Sequence, residues 1–81
     1  MYELKRDYFE NGNEESEVII KSENEKEVID KFEKELKKDL DFGYVIDTEY
    51  NKKYCIRLFL GYQENWNNYI EMYITKKNKK I

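Results

Sequence analysis

The chain has no histidine, no proline, no alanine and a single cysteine among its 81 residues. Without histidine there is no imidazole to serve as acid, base or triad member. With Cys55 alone there is no intrachain disulfide and no Cys/His zinc site. The three glycines stand apart, so no glycine-rich loop is present to cradle phosphate. No apolar run approaches ~18 residues, the length a membrane-crossing helix needs. The first residues, Met1 to Asp7, lack the apolar core of a secretory signal. A reducing cytoplasm is therefore the expected setting, with no membrane, no cofactor, no metal and no catalysis.

What is present suits one small domain, residues 1–81, ending in a short basic tail over 76–81. Charged residues reach 41%, but aromatics reach 16%, and disordered chains are poor in aromatics. Lysine, asparagine, isoleucine and tyrosine, all with A/T-rich codons, dominate. That bias suits a low-GC bacterium, or a phage or mobile element within one. The net charge of −3 hides an asymmetry. Residues 1–50 carry sixteen acids against eight bases, and residues 51–81 seven bases against two acids.

The periodicity predicts an α+β domain of order ββαβββ, one helix on a mainly antiparallel sheet, to which a β-grasp-like arrangement is suited. Tyr2 to Phe9 alternates, and Asn11-Gly12 is a hairpin signal because both residues tolerate positive φ. A strict two-residue turn would set Val18 opposite Lys5 and Ile20 opposite Glu3. A longer loop or a bulge is expected instead, to bring Ile20 to Leu4 and Val18 to Arg6. Ser22 and Glu25 read as a capping box opening the helix, with Lys37 and Lys38 near its end and Gly43 closing it. Val28, Ile29, Phe32, Leu36 and Leu40 form its apolar stripe. Strands are expected over Tyr44 to Tyr50, Tyr54 to Tyr62 as the central one, and Tyr69 to Thr75 with Ile70, Met72 and Ile74 toward the helix. A polar loop around Trp66 joins the last two.

Candidate chemistries narrow quickly. Cys55 lies mid-strand, where a cysteine is ordinarily an inert small hydrophobe. Asp39-Leu-Asp41-Phe-Gly43 has the opening of a calcium loop, but its glycine comes one position early and Tyr50 stands where the bidentate glutamate belongs. A helix end with solvated carboxylates is the plainer account. Arg57, Trp66 and the lysine tail outline a small nucleic-acid-binding regulator, although the acidic balance opposes it. Acidic groups on a rigid scaffold can instead take the place of DNA phosphates in a basic channel. Two sets of partner-binding residues are candidates: Glu10, Glu14 and Glu15 at the hairpin tip, and Asp39, Asp41, Asp47 and Glu49.

Val18-Ile-Ile-Lys-Ser-Glu-Asn-Glu25, followed by Val28 and Lys31-Phe32, resembles a segment of small phage anti-CRISPR proteins, in which a Val-Ile strand leads through Ser-Glu-Asn-Glu into a helix. Here the valine and the Lys-Phe pair arrive one residue later, and the likeness is confined to residues 18–32. The resemblance implies an inhibitor that blocks the DNA-recognition cleft of a Cas effector with acidic residues; it carries over no contact residue. The expected function is thus a phage or mobile-element inhibitor acting as an acidic decoy on a bacterial nucleic-acid-handling protein or nucleoprotein. An immunity protein or antitoxin that neutralises a toxin is the neighbouring alternative.

Overall fold

The computed structural model describes residues 1–60 and 67–77. Its elements follow the expected order: β1 (Tyr2–Glu10), β2 (Asn13–Ser22), α1 (Glu25–Phe42), β3 (Tyr44–Ile46), β4 (Cys55–Leu60) and β5 (Asn68–Lys76). The strands make one five-stranded sheet, β2-β1-β5-β4-β3, with every pairing antiparallel. α1 leaves β2 at one edge and enters β3 at the other. Its 18 residues span about 27 Å at 1.5 Å each. The two edge strands lie about 19 Å apart at the usual spacing. The helix is therefore long enough to cover the sheet from edge to edge.

Alternation assigns the two faces. Leu4, Ile56, Leu58, Ile70 and Met72 meet Val28 and Phe32 of α1 in the core. Ile20, Ile74, Leu36 and Tyr54 pack around them, the last edge-on to Phe32 at 5.8 Å. The opposite face carries Glu3, Lys5, Asp7 and Phe9 of β1, Cys55, Arg57 and Phe59 of β4, and Tyr69, Glu71 and Tyr73 of β5.

Several local expectations shift. The central strand is β5, not β4. β5 matches β1 along its whole length, from Tyr2 opposite Lys76 to Glu10 opposite Asn68, whereas β4 meets it only over Cys55 to Phe59. β4 begins at Cys55 because Tyr54 takes a left-handed φ of 57°. Gly61, Tyr62 and Trp66 lie outside the described residues, as do Lys79 and Lys80 of the basic tail. Lys76 belongs to β5, and Lys77 exchanges backbone hydrogen bonds with Met1 at 2.8 and 3.0 Å. The strand expected over Tyr44 to Tyr50 stops at Ile46. Asp47 Oδ1 accepts from the backbone N–H groups of Glu49 and Tyr50 at 3.0 and 3.3 Å, which turns the chain.

The helix is capped two residues later than Ser22 suggests. Asn24 is the N-cap, its Oδ1 accepting from Lys26 N–H at 3.0 Å. Ser22 serves the preceding turn: its Oγ accepts from Asn24 N–H and donates to Glu27, both at 3.0 Å. Gly43 closes the helix in the left-handed conformation, φ 119°, as its place in the sequence predicts. No basic residue falls in the last turn, so Lys37 and Lys38 lie short of the carbonyl end. The apolar stripe runs through Val28, Ile29, Phe32 and Leu36 and then breaks: Leu40 is largely exposed while Asp39 is buried.

Candidate interaction surface

The β1–β2 hairpin is built on local chemistry. Asn11 (φ 49°) and Gly12 (φ 86°) form a two-residue turn with both residues left-handed, the geometry whose twist matches that of paired strands. The turn is thus the strict one, and the register is corrected further up. A bulge between Leu4 and Lys5 pairs Ile20 with Leu4, while Val18 stays opposite Lys5 and Glu17 opposite Arg6. The bulge lets Ile20 reach the core; Val18 remains on the other face, largely exposed.

Between Arg6 and Lys21 every charged residue is acidic: Asp7, Glu10, Glu14, Glu15 and Glu17. Glu10, Glu14 and Glu15 are exposed at the tip and make no ion pair among the described residues. Glu14, paired with Phe9, points to the face away from the helix, and Glu15, paired with Tyr8, to the helix side. Glu17 accepts from the Tyr8 hydroxyl at 3.3 Å. Two contacts tie the tip to the sheet. Phe9 stacks on Tyr69 with centroids 4.4 Å apart, and Asn11 N–H donates to the Asn67 carbonyl at 2.7 Å. The three glutamates expected at the hairpin tip lie there, and Glu17, which was not among them, follows on β2 opposite Arg6.

The second expected set does not form one surface. Asp39 is buried and bound to Arg6 of β1 at 2.6 Å, with Glu35 3.6 Å from the same guanidinium. Burial raises the Asp39 pKa from its ordinary value, and the Arg6 hydrogen bond offsets that only in part. Asp47 is buried in its turn, with Arg57 3.9 Å from Oδ2. These two carboxylates are engaged inside the molecule, so the plain account of Asp39 as a solvated helix terminus gives way. Asp41 and Glu49 are exposed.

The face away from the helix has its own polar architecture. Arg57 donates through Nε and Nη2 to Glu71 Oε1 at 3.1 and 2.8 Å and lies over the Tyr50 ring, 4.0 Å from its centroid. The Tyr73 hydroxyl donates to Asp7 at 3.0 Å, and burial together with that bond pushes its pKa up to about 12. Glu3, also buried, accepts from Lys77 at 3.0 Å; this bond and the surrounding lysines hold its pKa below the ordinary 4.5 against the effect of burial. The arginine that a nucleic-acid regulator would use is thus already committed to Glu71 and Tyr50. Cys55 is half-buried, its Sγ 4.0 Å from the Tyr50 hydroxyl. Among the described residues no three acidic, cysteine or histidine side chains gather to hold a metal ion, and no helix is long and apolar enough to cross a membrane. Searches of protein-family models, curated proteins and solved structures found no match to this chain.

Proposed function

We propose that the chain is a non-catalytic inhibitor of phage or mobile-element type that binds a bacterial nucleic-acid-handling effector, a CRISPR nuclease complex foremost, as an acidic decoy. The observation that carries this reading is the hairpin: an unbroken run of acidic charge whose tip glutamates are exposed on a turn of fixed geometry. A preformed hairpin spares the backbone its ordering cost on binding, and the charge of its carboxylates steers them to a basic channel. The resemblance of residues 18–32 to anti-CRISPR proteins points the same way. In this chain that segment supplies the end of β2, the Asn24 cap and the helix residues Val28 and Phe32, so it builds the scaffold behind the hairpin.

Capture from a CRISPR-bearing low-GC host, followed by competition against target DNA, tests the proposal. An effector should be retained at ~50 mM salt and released as salt rises, and DNA should compete for it. Reversing Glu10, Glu14 and Glu15 to lysine should abolish retention with the melting temperature unchanged. Recovery of no nuclease or nucleoprotein at low salt would end the reading.

A further inference from the structure

The hairpin tip shares its end of the sheet with a cleft of about 380 Å³, toward the lower end of ligand pockets. Its wall includes Tyr8, Glu10, Tyr44, Leu60, Tyr69 and Ile70. The apolar surface continues beyond it. Leu60 pairs with Tyr44 across β3 and β4, and Phe42, 74% exposed at the end of α1, stacks on Tyr44 at 5.9 Å. Single exposed apolar side chains are ordinary, whereas a continuous strip opening into a cleft marks a contact surface. The one charged side chain in its wall, among the described residues, is acidic. That side chain is Glu10; Glu15 lies on the same side of the hairpin and Asp41 precedes Phe42. The arginines that touch the wall, Arg6 over the Tyr8 ring at 5.4 Å and Arg57 over the Tyr69 ring at 5.2 Å, are already paired with Asp39 and Glu71.

We infer that this cleft receives one large apolar side chain presented by a lysine- and arginine-rich segment of the partner protein. The inference rests on the decoy reading for the partner's charge and adds what that reading lacks, an apolar anchor. Interfaces draw most of their affinity from a few such anchors, with surrounding charge setting orientation and approach.

Calorimetric titration with the capped peptide Lys-Lys-Gly-Trp-Gly-Lys-Lys, against the same peptide with alanine at its centre, tests it. The tryptophan peptide should bind about tenfold more tightly or better. Phe42→Ser and Leu60→Ser should each erase that preference while leaving the alanine peptide's affinity and the melting temperature unchanged. Phe42 is so exposed that its replacement should not compromise folding. Equal binding of the two peptides would overturn the anchor and leave the decoy reading intact. A preference that survives both substitutions would overturn the cleft as its seat. Equally tight binding of a glutamate-flanked tryptophan peptide would overturn the cationic partner. Failure of either peptide to bind a chain that still captures an effector through its tip glutamates would likewise overturn the anchor alone.

Discussion

Arg6 and Asp39 decide more of the stability than any exposed charge. Both are buried and 2.6 Å apart, with Arg6 Nε and Asp39 Oδ2 lacking further partners. Removing one partner of a buried pair costs about 3–5 kcal/mol where the other charge is left unpaired, and Glu35, 3.6 Å from the guanidinium, offsets only part of that for Arg6. Such a cost is a large part of the roughly 4–12 kcal/mol such a domain has. Asp39→Ala should therefore lower the urea midpoint sharply, whereas Arg6→Met with Asp39→Leu should restore most of the loss. Acid titration separates two carboxylates. Glu3 is held below 4.5, so its contribution is present above that value and disappears as pH falls further; Lys77→Met should flatten this acid loss in unfolding free energy. Asp39, raised by burial, has the opposite sign: its contribution shrinks as pH rises past the ordinary aspartate value of 3.8, and Asp39→Asn should remove that slope. None of this was legible in sequence. Asp39 falls between Leu36 and Leu40 in a helical pattern, and its partner lies 33 residues away.

Local elements reveal themselves where their signals are local. Asn11-Gly12 specifies its turn and Gly43 its helix end from one or two residues each, and both stand as expected. Gly12→Ala should cost about 1–2 kcal/mol, since only glycine holds φ near 86° without penalty. The helix start was harder to read, because Ser22 and Asn24 are both good caps and each has a glutamate three residues on. Asn24→Ala should cost about 1 kcal/mol of stability, with a smaller loss for Ser22→Ala, whose hydroxyl serves the turn before the helix and not the helix's own first amides. Thermal unfolding of the two variants separates the assignments. The Tyr44 to Tyr50 alternation misled for a related reason: period-two spacing persists through Asp47, but its side chain offers the following N–H groups a turn in place of a ladder.

For the molecule as a whole, alternation predicts which side chain faces the helix but not which strand lies beside which. Ile70, Met72 and Ile74 pack toward the helix as expected, yet the most apolar strand is not the middle one. The split of charge along the sequence becomes a split in space. The acidic tip lies at one end of the strands, while Lys76 and Lys77 lie at the other, beside Tyr2 and Met1. Exposed pairs such as the Met1 ammonium with Glu23 add little to stability, so raising salt should weaken binding at the tip far more than it shifts the melting temperature. The order β2-β1-β5-β4-β3 also fixes when the protein can exist. Its middle strand is the last of the five in chain order. Until residues 68–76 emerge, the β1–β2 hairpin and the β3–β4 pair have no common seam, and the helix between them has only fragments of a floor. The sheet therefore cannot close before residues 68–76 are made, and a chain cut short ahead of Asn68 should remain a protease substrate while one that includes β5 does not.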